Sequence, residues 1–159
     1  MKIRENASTI VLAITVLLSV LSKGSFVWIT AGILFPPWAL YSFIRIIKYP
    51  SERRSRSIRL AIWIVTIAIL LVAADHWDSA AEHEADSVAS AVVAYKTRTG
   101  AYPGELSEVG IDAQLLRDEY RIYYYVNENG MPGLSYFRPS MPLFLYRYNF
   151  ERRTWHLRG

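Results

Sequence analysis

The chain has 159 residues, 52% of them hydrophobic and 20% charged, with no cysteine and a formal net charge of +4. The missing thiol excludes disulfides, thiol catalysis, thiolate metal sites and lipid attachment through cysteine. The charge is not a nucleic-acid-binding field, because residues 1–74 hold nine basic side chains against two acidic ones, net +7, while residues 75–159 hold nine against twelve, net −3.

The first apolar run, residues 7–21, follows Lys2 and Arg4. It is short for a membrane span, which needs about 20 apolar residues, but Ser22 and the stem of Lys23 extend it to a span of about 7–23. A signal-peptide core is the alternative reading; no small-x-small cleavage site follows it. Ser22-Lys23-Gly24-Ser25 reads as a tight external loop. Residues 26–47 form a second span, with Trp28 and Tyr41 suited to the two interfaces and Pro36-Pro37 expected to kink its middle. A rival topology runs one helix from Ala7 to Phe35 and stops at the prolines.

Arg45, Lys48, Arg53, Arg54, Arg56 and Arg59 follow, in and beside a loop at 48–59 trapped between apolar segments. Cytoplasmic loops collect Lys and Arg, so this cluster sets the threading: N-terminus and basic loop inside, everything beyond Asp75 outside. The rival topology puts the arginines on the wrong side. A third span, about 58–76, then ends at Asp75, His76 and Trp77 without a helix breaker. Ala81, Ala85, Val88, Val92 and Tyr95 recur at helical spacing, so the helix is expected to run on into a folded domain at 78–159. Lys96 and Arg98 suit its last turn and Gly100 its cap.

Pro103-Gly104 marks a loop, and Asp112 is placed to cap a short helix presenting Leu115 and Leu116 to a core. The rest reads as a β-meander. Residues 120–127 alternate, with Tyr120, Ile122, Tyr124 and Val126 on one face and Arg121, Tyr123 and Tyr125 on the other. Asn129-Gly130 turns into a strand at 134–137. Residues 143–150 set Phe144, Tyr146, Tyr148 and Phe150 against Leu145, Arg147 and Asn149, and a last strand carries Trp155 and Leu157. The fold class is therefore a three-span α-helical anchor plus a small α+β domain, one long helix laid on an antiparallel sheet.

Ala94-Tyr95-Lys96, Gly100, Tyr102-Pro103 and Leu106, between a membrane-to-amphipathic helix and an antiparallel sheet, resemble the type IV pilins and type II secretion pseudopilins. The match covers residues 60–159, and its sharp part is about a dozen residues. The prepilin peptidase site of that family is missing: Ser57-Ile58-Arg59-Leu60 has neither its glycine nor its glutamate, and Gly24-Ser25-Phe26 lacks the acidic residue. The resemblance implies a pilin-like domain on a stationary anchor in a bacterial inner membrane, with the domain periplasmic.

Asp75, His76, Asp78, Glu82, His83, Glu84 and Asp86 form the densest polar cluster. His76, His83 and Glu82 are the candidates for a divalent metal at the membrane surface; the other reading is a solvated acidic collar that opposes insertion. No serine-nucleophile turn or phosphate-cradling glycine pattern is present, so no catalytic residue and no cofactor is expected. The net negative charge of the domain argues against single-stranded nucleic acid, despite its aromatic and arginine content. Tyr123, Tyr125, Arg147, Tyr148, Arg152, Arg153 and Trp155 are of the types enriched at protein–protein hot spots. The expected partners are thus the lipid bilayer and a protein outside the cytoplasm. The expected role is non-enzymatic, an accessory of a pilus or secretion system; the alternatives are a membrane-anchored immunity protein or a metal-dependent membrane enzyme.

Overall fold

The structure, a computed structural model, describes Val11 and residues 14–158. The beginning of the first expected span, residues 7–10, 12 and 13, lies outside the described residues. The chain divides into two compact units, one ending at His76 and one beginning at Trp77.

In the first unit, residues 14–21 are helical. Lys23, at φ 50°, closes this helix: the Gly24 N–H donates to Ser19 O at 2.7 Å and the Lys23 N–H to Val20 O at 3.2 Å. These two bonds satisfy the last free carbonyls, the Schellman arrangement. Residues 22–26 are turn, so the rival reading of one helix reaching Phe35 is overturned.

Helix α1 covers Val27–Lys48. Pro36 and Pro37 have no N–H to return to the preceding turn. A π turn, Thr30–Leu34, lies just upstream of this pair, where the Phe35 N–H donates to Thr30 O, five residues back. Phe35 and Trp38 lie against Trp63 of helix α2 (Arg53–Thr99), with ring centroids 6.2 and 5.4 Å away.

Val27, Trp63, Ile67, Leu70 and Ala74 are buried in this unit together with the small polar residues Thr15, Ser19, Thr30 and Ser42, while Leu40, Ile44, Ile47, Ile58, Val65, Ile69 and Val72 are exposed. So large an exposed apolar surface is unusual for a protein in water. Among the described residues, two helices are long and apolar enough to cross a membrane, Val27–Lys48 and Pro50–Thr99.

In the second unit, α2 buries Ala81, Ala85, Val88, Ala89 and Val92. The alanines leave room for large aromatic rings from the sheet. The helix ends at Gly100, φ 84°, whose N–H donates to Lys96 O. A short 3₁₀ turn, Leu106–Val109, follows with a reciprocal cap between Glu105 and Glu108. Helix α3, Ala113–Tyr120, starts at Asp112, whose carboxylate accepts from the Gln114 and Leu115 N–H groups at 2.8 and 3.2 Å. Such a cap contributes about 1 kcal/mol. Leu116 enters the core, but Leu115, expected beside it, is 56% exposed; neighbours on a helix point about 100° apart.

The sheet is an antiparallel meander in the order β1-β2-β3-β4: Ile122–Val126, Pro132–Phe137, Leu145–Asn149 and Thr154–Arg158. β1 begins later than expected because α3 runs through Tyr120 and Arg121 turns the chain at φ 56°. Ile122, Leu134 and Tyr136 are buried with the helix residues, and Tyr124, Tyr146, Tyr148, Phe150 and Trp155 pack against them. A long helix with a four-stranded antiparallel sheet is thus the architecture of this unit.

Glu108 gives the helix–sheet connection a pH dependence. Its carboxylate accepts from the Tyr95 hydroxyl at 2.6 Å and from the N–H groups of Gly104 and Glu105. The Tyr95 bond first, then those of Glu105 and Gly104, holds its carboxyl below the usual carboxylate range. A depressed carboxylate stabilises fully above its unfolded pKa, about 4.3, and that contribution fades as pH falls through the lower folded value. Amide exchange at Gly104 and Glu105, corrected for intrinsic rate, is expected to quicken below that pH. Glu108→Gln should flatten the dependence; an unchanged profile would show that the carboxylate does not hold this loop.

Candidate partner-binding surface

Strand alternation puts every second side chain on the sheet face away from the core. Tyr123, Ser135, Arg147 and His156 form one row across the four strands, each directly paired with the next. Tyr125, one pair further along β1, stands opposite Gly133. Its ring lies over that glycine, so close that a Cβ at Gly133 would overlap it. With nothing projecting from Gly133, the ring reaches across β2, where the Tyr125 hydroxyl accepts from the Arg147 guanidinium. The guanidinium carbon is also 5.9 Å from the ring centroid.

Tyr123 is held from two other sides. The Phe137 ring meets it edge to face, 6.0 Å between centroids at 89°, and the Arg117 guanidinium sits 5.8 Å from its centroid. Tyr123 and Tyr125 stay 36% and 46% exposed. The outcome is an open aromatic and cationic face whose rings are already fixed by their neighbours. Rigid aromatic area beside arginine lowers the ordering cost of binding.

The structure separates the other expected contact residues from this face. Tyr148 and Trp155 pair across β3 and β4 on the helix side, rings 5.0 Å apart, and the Trp155 indole N–H donates to Asp86 of α2 at 2.6 Å. They belong to the packing between helix and sheet. Arg152 and Arg153 are exposed in the β3–β4 turn, where Asn149 Oδ1 accepts from the Glu151 and Arg152 N–H groups. Arg153 borders an open cleft of about 350 Å³ with Lys96, Tyr102 and Phe150.

The basic cluster lies where α1 ends and α2 begins. Glu52 ties it: its carboxylate accepts from Arg45 at 2.7 Å and Arg56 at 2.6 Å. These bonds, Arg56 first, hold Glu52 below the usual carboxylate range. Arg45 covers the Tyr49 ring at 4.2 Å, and Arg53, Arg54 and Arg59 follow in the first turns of α2 after Lys48 closes α1. His76, Glu82 and His83 all fall on α2; the Glu82 carboxylate is 4.0 Å from Arg138. Among the described residues no three His, Asp or Glu side chains gather as a metal ion would require.

No family model, curated protein or solved structure matches this chain. The surface therefore rests on its own geometry. Three of its members were missed from sequence. Phe137 had a usable signal, since the strand alternation that buries Leu134 and Tyr136 turns it outward beside Tyr123; Arg117 reaches Tyr123 from α3, which strand alternation does not foretell. Gly133 had none, because its meaning depends on the register that brings Tyr125 opposite it.

Proposed function

We propose that this chain is an integral membrane protein whose sheet domain binds a protein partner outside the cytoplasm. The observation that carries the reading is the preorganised Tyr123–Phe137 and Tyr125–Arg147 face, left open to solvent on the side of the sheet away from the core. In this reading the apolar stretch 7–23, residues 26–47 in α1 and residues 58–76 in the first half of α2 are three spans of a bacterial inner membrane. The basic turn with Arg45, Lys48, Arg53, Arg54, Arg56 and Arg59 stays cytoplasmic, as the charge bias of membrane proteins favours.

The role is binding, not catalysis. A long helix followed by a four-stranded antiparallel meander supports the pilin-like resemblance, and with it the role of a stationary accessory to a pilus or secretion assembly. Arg152 and Arg153, at the rim of the same sheet, extend the contact. An immunity protein would use the same face for a toxin.

Photo-crosslinking probes at Tyr123 and Tyr125, in living cells, test this reading. One discrete protein adduct from both positions is expected, and its identity separates a pilus or secretion component from a toxin. Diffuse or absent adducts from a well-expressed protein would overturn it. Threading is read in parallel from Glu128→Cys and Ser55→Cys, both exposed positions. An impermeant maleimide should reach the first and not the second in cells with a permeabilised outer barrier; the opposite pattern would reverse the topology.

A further inference from the structure

We propose that the turn joining α1 to α2 holds the phosphate of an anionic phospholipid, with the lipid's chains against Ile46 and Ile47. The inference rests on the reading of residues 26–47 and 58–76 as spans, which puts this turn at a headgroup layer. Tyr49 precedes a proline and takes an extended backbone, φ −128° and ψ 92°, which ends α1. The 3₁₀ turn Pro50–Glu52 then leads directly into α2 at Arg53. So short a connection brings the start of α2 against the last turn of α1. Ile46, Ile47, Pro50 and Arg53 line one open cleft of about 210 Å³ there. Arg53 is exposed, and Ile47 is 69% exposed.

The charge around this cleft is one-sided. Residues 45–59 hold six basic side chains against one acidic, net +5. Glu52 is that acid, and both its oxygens are taken, one by Arg45 at 2.7 Å and the other by Arg56 at 2.6 Å. Lys48, Arg53, Arg54 and Arg59 form no ion pair among the described residues. Like charges crowded at one turn repel one another unless a counter-anion is held there. Two demands therefore meet at Arg53: a guanidinium without an acid, and an open apolar wall beside it. A free anion answers the first alone, and a hydrocarbon chain answers the second alone. A phosphodiester carrying acyl chains answers both, and a guanidinium can take its oxygens through two parallel N–H groups. Phosphatidylcholine offsets its phosphate with its own ammonium, so the unpaired cations favour a headgroup with net negative charge.

The test places the full chain in bilayers of equal phosphatidylcholine and phosphatidylglycerol and counts the lipid it retains by native mass spectrometry. Phosphatidylglycerol is expected to be the first lipid retained, and Arg53→Gln to lower that preference about fivefold. Arg54→Gln removes the same charge one residue further on, outside the cleft lining, and should move the preference little. Equal losses in the two variants would overturn the site, because a diffuse basic surface would account for both. No preference in the wild type would overturn it as well. Added inorganic phosphate should leave the preference unchanged; if it abolished it, the cleft would be a site for free phosphate and the lipid proposal would fail. The span is read separately, since the chain has no native thiol. A fluorophore at Val65→Cys should be quenched by a nitroxide lipid labelled deep in the bilayer. A quenched probe with no preference for phosphatidylglycerol would overturn the cleft alone. An unquenched probe would overturn the span and the site together.

Discussion

Tyr136→Ala is expected to remove a large part of the stability of the sheet domain. Tyr136 is 1% exposed, stacked on Tyr146 at 5.2 Å and met edge-on by Trp155 at 5.0 Å. It also lies in the cluster that joins the sheet to Ala81, Ala85, Val88 and Val92 of α2. Removing an aromatic ring from such a site costs about 3–5 kcal/mol, transfer and cavity together. A domain of this size has only about 4–12 kcal/mol in total. With a urea dependence of about 1 kcal/mol per molar, the unfolding midpoint should fall by several molar, or the folded baseline should vanish. Pulse proteolysis of the full-length protein in detergent measures this. Tyr123→Ala, on the open face, is the control and should stay near the wild-type midpoint. Equal midpoints for both variants would show that the helix–sheet interface is not the core.

The second large effect concerns binding. Arg147→Ala and Tyr125→Ala are each expected to weaken the complex by about 2 kcal/mol or more, roughly thirtyfold. Each removes one half of a ring and guanidinium pair that is set before the partner arrives. Gly133→Ala makes the sharper test because it leaves both side chains of the pair in the sequence. Its methyl group would occupy the space of the Tyr125 ring, so the ring must swing away and leave Arg147. Affinity for the protein recovered by crosslinking should then fall about as far as in Tyr125→Ala, while the unfolding midpoint moves little. Undiminished affinity in all three variants would place the contact elsewhere on the domain.

Local rules made much of this fold legible. The sheet-facing apolar residues of α2, the Gly100 terminus, the Asp112 cap and the inward alternation of Ile122 and Tyr124 each follow from a pattern within one helix face, one turn or one strand. What escaped was long-range. The Asp78–Ser140 and Asp86–Trp155 bonds join residues 62 and 69 positions apart, and from sequence both carboxylates look like part of an acidic collar. The division of the aromatic set was hidden for a different reason. Alternation groups Tyr146 and Tyr148 on one face of β3, but it does not say which face is inward when both carry large side chains. Only the pairing of β3 with β2, where Tyr146 stands opposite buried Tyr136, decides it. The same register sends Arg147 outward with Tyr123 and Tyr125.

The π turn ahead of Pro36-Pro37 acts on azimuth. One residue more in a turn rotates everything beyond it by about 100° around the helix axis. Trp38, Tyr41 and Arg45 all lie beyond Thr30–Leu34, so the angle at which Trp38 meets Trp63 and Arg45 meets Glu52 is set there. Shortening that stretch by one residue would keep the composition and length of a good span. It would turn its tryptophan and arginine away from Trp63 and Glu52. The wide turn works as a phase marker that keeps the aromatic and ionic contacts of α1 in step with α2.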